Sequence, residues 1–221
     1  MDARPPASGD ARRPPPRGLP GRGPRGPRSD DDRPRREREE WAWVLDFLPY
    51  GHPDDNRPSY QKRPTSLGIG EKNLALLEMV PREGKTLQIQ QRVYVGDDEA
   101  QRTLVDHVKR RILFDELTQA AKSELAAVLE KMVAAQEPRF VDIFNSSYPL
   151  TTRLHMLCLL PGVGQKMMQA VLEERAKKPF SGFAELSERV KGLHNPAKIV
   201  AKRIEEELTD PNVKYRLYTR P

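Results

Sequence analysis

One stretch constrains this chain more than any other: Leu157-Cys158-Leu159-Leu160-Pro161-Gly162-Val163-Gly164-Gln165-Lys166-Met167-Met168, followed by Val171-Leu172 and Arg175. An apolar helix end leads into a Pro-Gly-apolar-Gly turn, from which a second, amphipathic helix departs. The two glycines allow positive φ and carry no Cβ to hold an anion away from the backbone. The amides from about Gly164 to Met167 fall at a helix start, where unpaired N–H groups and the helix dipole suit a phosphate oxygen. Gly162, Val163, Gly164, Gln165 and Lys166 are therefore the first candidate contacts, Lys166 through its full charge. A second reading stays open, in which the turn only joins two core helices and its glycines serve sterics alone.

From about Thr151 to Lys178 the pattern resembles the helix-hairpin-helix family, which implies a grip on nucleic-acid backbone and allows a monovalent cation on the hairpin carbonyls. A second unit follows, since Phe180 to Leu186 opens a helix, Gly192-Leu193-His194-Asn195-Pro196 turns, and Ala197 to Leu208 forms the last helix. Stacked units cover each other's apolar faces. The second turn lacks a second glycine, so packing is its expected role, with Lys198 and Lys202 as secondary phosphate contacts. Asn195 before Pro196 reads as an N-cap with proline at the first helical position.

The 221 residues allow one or two small domains plus tails, and 38 Lys+Arg against 32 Asp+Glu leave +6. That excess suits a nucleic-acid partner without requiring one. Cys158 is the only cysteine, which excludes a disulfide framework and a Cys-based zinc site. No apolar run approaches a membrane span and no signal-like apolar core opens the chain, so a cytoplasmic protein with no membrane partner is expected.

Residues 1–40 read as a disordered tail, because they hold nine of the 21 prolines and almost no large apolar side chain. Gly21-Arg22-Gly23-Pro24-Arg25-Gly26-Pro27-Arg28 suits a basic arm on RNA or DNA, but eleven arginines face eight carboxylates over the whole segment. A solubilising linker fits equally well.

Residues 41–116 read as a small antiparallel β domain. Trp41 to Leu48 has the density of a buried strand, a polar loop runs from Asp54 to Pro64, and strands follow within Asn73 to Val80, Leu87 to Val95 and Leu104 to Phe114. Short strands with turns between them suggest an OB or S1-like barrel. Arg92, Tyr94, Lys109, Arg110 and Arg111 are its candidate single-strand contacts. The same basic edge also guards against edge-to-edge aggregation.

Residues 117–150 read as connecting helices, first Thr118 to Gln136 with an apolar stripe, then a short helix from Pro138 to Phe144. Thr151-Thr152 is expected to cap the helix that opens the tandem hairpin region, 151–210. Residues 211–221 fit a basic aromatic tail or an edge strand. The fold class is thus α+β, a barrel followed by a helical domain.

Trp43-Val44-Leu45-Asp46-Phe47-Leu48-Pro49-Tyr50-Gly51-His52-Pro53, Asp106-His107-Val108-Lys109-Arg110-Arg111-Ile112 and Thr152-Arg153-Leu154-His155 ahead of Leu160-Pro161-Gly162-Val163-Gly164 resemble the archaeal DUF655 family from about Trp41 to Thr219. The resemblance implies an OB-like domain with tandem hairpins and a nucleic-acid-binding role. Typical members lie beside transcription and translation genes, which favours RNA or ribosome biogenesis over DNA repair.

Enzymatic signals are sparse. The four histidines lie in four segments without metal-ligand spacing. His52 with Asp54 and Asp55 is the best constellation for phosphodiester chemistry, and the same residue types also cap turns. Gly68-Ile69-Gly70 is too short for a nucleotide fingerprint. Glycosylases with this hairpin place an Asp shortly after it, whereas here the first is Asp210. We therefore expect a non-enzymatic protein without a cofactor that binds RNA, with DNA also open. Sequence selection would fall to the barrel face, the Tyr50 to Tyr60 loop or RNA shape. Two alternatives remain, a module docking on ribosomal or transcription proteins, and a metal-dependent phosphodiesterase.

Overall fold

Thr65-Ser66-Leu67-Gly68-Ile69-Gly70 forms a fully buried strand at the centre of a sheet, although sequence patterning gives no sign of it. Glycine and serine have weak strand propensity, and a strand buried on both faces shows no alternation. Gly68 is required by close approach, because a Cβ there would lie 2.7 Å from the Trp43 carbonyl oxygen and 2.5 Å from Met79 Cε. This computed structural model describes residues 38–219 apart from 54 and 56, so most of the expected tail lies outside the described residues.

The sheet has five antiparallel strands: β1 (Trp41–Leu48), β2 (Thr65–Gly70), β3 (Leu76–Pro81), β4 (Arg92–Tyr94) and β5 (Val105–Arg111), in the order β4-β1-β2-β3-β5. The edges β4 and β5 do not pair with each other, so the sheet is curled but open. Val93 of β4 and Val105 of β5 nevertheless join Ala42, Val44, Leu77 and Met79 in one apolar cluster on the concave side. Two sequence expectations change here. Leu87 to Gln91 is a turn rather than strand, because Gln90 takes φ +63° and its amide bonds the Val44 carbonyl at 2.8 Å. Order also begins before Trp41, since the buried Glu39 carboxylate accepts the amides of Lys72 (2.7 Å) and Asn73 (2.8 Å).

The convex side is closed by helices. α1 (Gln119–Ala135) buries Ala121, Leu125, Val128, Leu129, Met132 and Val133 against Leu45, Leu67, Ile69 and Leu76 of the sheet. Thr118 caps it by accepting the Ala121 amide at 3.1 Å, and its hydroxyl donates to Asp46 at 2.6 Å, which fixes the helix start on β1. α2 (Glu137–Ser146) follows directly, then α3 (Gln165–Lys177), α4 (Phe183–Arg189) and α5 (Pro196–Thr209). The α3, α4 and α5 side chains Val171, Leu186, Val200 and Ile204 lie in the same core as α1. Sheet and helices thus share one continuous apolar core.

Three further expectations are corrected. The segment before the Pro161 turn is a single 3-10 turn, Met156–Leu159, rather than an α-helix. Thr151 caps no helix; it closes a turn by accepting the Leu154 amide at 3.0 Å, and His155 Nδ1 instead caps the 3-10 turn through the Leu157 amide at 3.2 Å. The C-terminal segment is not an edge strand. Its amides at Leu217 (2.7 Å), Tyr218 (3.1 Å) and Thr219 (2.9 Å) all donate to the fully buried Glu207 carboxylate, which is also bonded by Arg203 at 3.0 Å.

Candidate functional site

The Pro161–Gly164 turn is positioned from below. Leu157, Leu160 and Val163 are buried in the shared core, and the Val163 amide donates to the Leu160 carbonyl at 3.0 Å. Val163 therefore anchors the turn by side chain and amide together. Arg175, nearly three turns along α3, donates to the carbonyls of Phe144 (3.2 Å), Asn145 (3.3 Å) and Ser147 (2.9 Å). This caps the C-terminus of α2 and fixes α3 against it.

Gly162 takes φ +80°, a left-handed conformation that glycine adopts without strain, and Gly164 is extended as the N-cap of α3. A Cβ at either glycine would meet nothing within 4 Å, so both face open space. Pro161 is half-buried, while Gly162, Gly164, Gln165 and Lys166 are exposed at the turn and the head of the helix. The first helical bond is Met168 to the Gly164 carbonyl at 2.9 Å, which leaves the amides of Gly164, Gln165, Lys166 and Met167 without a protein acceptor among the described residues. Three of the other helix starts are closed by side chains, whereas α2, which continues directly from α1, has no side-chain cap. Thr118 caps α1, Glu137 accepts the Phe183 amide at α4, and Asn195 accepts the Lys198 amide at 3.1 Å at α5.

The second turn lies beside the first, since a Cβ on Gly192 would fall 3.2 Å from Met167 Cε. Asn195 is the N-cap and Pro196 opens α5, as the sequence indicates. Lys191 is exposed beside that turn and Lys202 further along α5, and the ion pair of Lys198 with Glu130 is loose at 4.0 Å. Lys191 escapes the sequence reading, although its place beside the turn glycine was the available signal.

The sheet candidates are arranged differently from expectation. Arg92 and Tyr94 lie on one edge strand and Lys109, Arg110 and Arg111 on the other, while α1 covers the convex face between them. Arg92 is committed to Glu71 through two bonds, at 2.6 and 2.9 Å, and stacks 4.0 Å from the Trp41 ring, against which Tyr94 packs edge-on. Lys109 (2.6 Å) and Arg110 (2.8 Å) share the buried Glu78 carboxylate. These cations neutralise interior carboxylates, and residues so engaged do not form one continuous groove.

At the other candidate centre, the Arg57 guanidinium donates to both Asp55 oxygens, at 2.7 and 3.0 Å, which holds the Asp55 carboxyl well below the ordinary range. His52 Nε2 lies 3.1 Å from the Glu116 carbonyl. Among the described residues no group of three His, Cys, Asp or Glu is placed to hold a metal. No described helix is long and apolar enough to cross a membrane.

The profile of a protein of unknown function (DUF655) matches residues 38–220. The uncharacterized protein MJ0038 of Methanocaldococcus jannaschii is 44% identical over 183 residues, 82% of this chain and 80% of that protein. The crystal structure of Af1531 from Archaeoglobus fulgidus, a DUF655 structure, is similar at a TM-score of 0.76 and 47% identity, over 82% of this chain and all of that one. Sheet, helices and both turns all fall within the matched span, and the chain belongs to the DUF655 family.

Proposed function

We propose that this protein binds nucleic acid without catalysis, RNA in preference to DNA, and that the α3 turn works as a helix-hairpin-helix phosphate grip. The observation that carries the reading is the run of four unpaired amides, Gly164 to Met167, at a glycine turn with no side-chain cap. Backbone donors aimed at open solvent beside Lys166 suit a phosphate oxygen, which needs no base contact. The adjacent second turn adds Lys191 and Lys198, with Lys202 exposed further along α5.

The curled five-stranded sheet supports an OB-like reading, a partly open antiparallel barrel. With its convex face covered by α1, its share in binding falls to the edges and loops rather than to the central strands. The Asp55–Arg57 pair, closing its own loop, favours the non-enzymatic reading over a phosphodiesterase centred on His52. A role in translation or ribosome biogenesis accords with this chemistry.

Fluorescence anisotropy of the full chain with single-stranded RNA, duplex RNA and duplex DNA across a salt series tests the proposal. A phosphate grip gives a steep logarithmic salt dependence, and Lys166→Glu lowers the slope by about 0.7 to 0.9 for each phosphate it ceases to neutralise. Absence of binding, or binding that Lys166→Glu and Gly164→Ala leave unchanged, would refute it and turn attention to protein partners.

A further inference from the structure

A second concentration of positive charge lies on the β layer, in an open pocket of about 560 Å³. Its floor runs across three strands. Ser66 of β2 is opposite Met79 of β3, so Thr65 falls beside Val80, and Val80 is opposite His107 of β5. The chain returning from the β1 loop forms the wall, first as the 3-10 turn Ser59–Gln61 and then as Lys62 and Arg63 leading into β2. Gly51 holds this return close, since a Cβ there would lie 3.1 Å from Lys62 Cβ.

Arg57, Lys62, Arg63, His107 and Lys109 line the pocket, and none of its described lining residues is a carboxylate. Grouping like charges around a cavity is costly unless something anionic occupies it. The carboxylates nearby hold individual cations without lining the cavity: Asp55 holds Arg57, Asp106 lies 2.8 Å from His107, and Glu78 holds Lys109 at 2.6 Å. Those partners restrict where three of the basic groups sit. Lys62 and Arg63 make no side-chain ion pair among the described residues. Tyr60 lines the same pocket and 83% of its surface faces solvent, so its ring face is open to a stacking partner.

We propose that this pocket binds an unpaired nucleotide, its phosphate on Lys62 and Arg63 and its base against the Tyr60 ring. The volume falls within the range of small-ligand sites, and an exposed aromatic beside cations is the arrangement that stacks a base while holding its phosphate. The ligand chemistry is that of a phosphorylated nucleoside, either free or as one unit of a single strand. The proposal rests on the nucleic-acid reading for its ligand class and uses none of the residues of the α3 turn.

The test titrates the full chain with a labelled short oligouridylate by anisotropy and with uridine monophosphate by calorimetry. Wild type is expected to bind at least one of them saturably. Tyr60→Ala should weaken binding roughly 5- to 150-fold, and Tyr60→Phe, which keeps the ring, should retain it. Lys62→Glu with Arg63→Glu should remove most of the binding, or lower the oligonucleotide salt slope by about 1.4. Melting curves confirm that each variant is folded. Stronger binding of the oligonucleotide identifies a single strand as the ligand, and binding of the monophosphate alone identifies a free nucleotide; both support the site. Failure of wild type to bind either ligand overturns it, as does unchanged binding by the Tyr60 and Lys62/Arg63 variants. Lys166→Glu separates the two readings. If it alone abolishes oligonucleotide binding, the hairpin grip stands and the pocket falls, whereas loss confined to the pocket variants does the reverse.

Discussion

Gly162 and Gly164 are two residues apart in one turn, yet the structure predicts opposite consequences for replacing them with alanine. Gly162 has φ +80°, where an L side chain costs about 1 to 2 kcal/mol, and no clash adds to this because its Cβ would meet nothing within 4 Å. In a folded unit of this size each kcal/mol shifts Tm by about 2 to 4 °C, so Gly162→Ala should lower Tm by about 2 to 8 °C. Gly164 is at φ −85°, ψ −178°, a conformation alanine adopts freely, and its Cβ would also stand in open space. Reduced unfolded-state entropy favours alanine by about 0.4 to 1 kcal/mol, and the poorer N-cap opposes it by a similar amount. Stability should therefore change by less than about 0.5 kcal/mol. Binding should behave otherwise. A methyl at the mouth of the Gly164 to Met167 amides keeps a phosphate at a distance, and losing one charge-assisted bond of about 1.5 to 3 kcal/mol weakens affinity about tenfold or more. Urea unfolding and RNA anisotropy on the two single variants measure both quantities. If folded Gly164→Ala binds RNA like wild type, the backbone grip is wrong. If it melts as low as Gly162→Ala, the conformational assignment of the turn is wrong.

Other substitutions probe the scaffold. Glu207→Ala should cost about 3 to 5 kcal/mol, because it takes the buried carboxylate from Arg203, leaving that guanidinium the Tyr215 carbonyl and the more distant Glu206, and frees three amides, and brief carboxypeptidase digestion should then shorten the chain. An unchanged Tm with an uncut C-terminus would contradict that role. Glu78→Gln should cost less, about 1 to 3 kcal/mol, since the half-exposed Lys109 and Arg110 can turn to water; a loss as large as that of Glu207→Ala would mean they cannot. Burial, aided by Arg175, holds the His155 imidazole below its ordinary value, so the unfolded chain takes up that proton first. Its contribution is complete above the unfolded value of about 6.5 and is lost as pH falls from there through the lower folded value. Urea midpoints should drop across that window in wild type, and His155→Gln should flatten the drop.

The α3 turn was legible because its requirements are local. A positive φ, a missing Cβ and a helix start are written in a few adjacent residues, and Pro161-Gly162-Val163-Gly164 states all three. The α1 stripe and the Asn195-Pro196 start of α5 were legible for the same reason. The central strand β2 was not, because Gly68 and Gly70 are there to admit the Trp43 carbonyl and the Glu39 side chain, neighbours that exist only after folding. Nor could the sequence show that the basic residues of β4 and β5 sit on opposite edges and hold buried carboxylates, since a charge's partner depends on which strands pair.

The sequence by itself determined the α+β order, the exposed glycine turn and the family, all of which rest on patterns within short spans of chain. Tertiary structure alone decided which cations remain uncommitted. Glu71 and Glu78 claim Arg92, Lys109 and Arg110 across the sheet, while Lys166, Lys62 and Arg63 are left without such a partner among the described residues. A carboxylate buried by packing must be neutralised by whichever cation the topology brings near, and that pairing is settled only when distant strands meet.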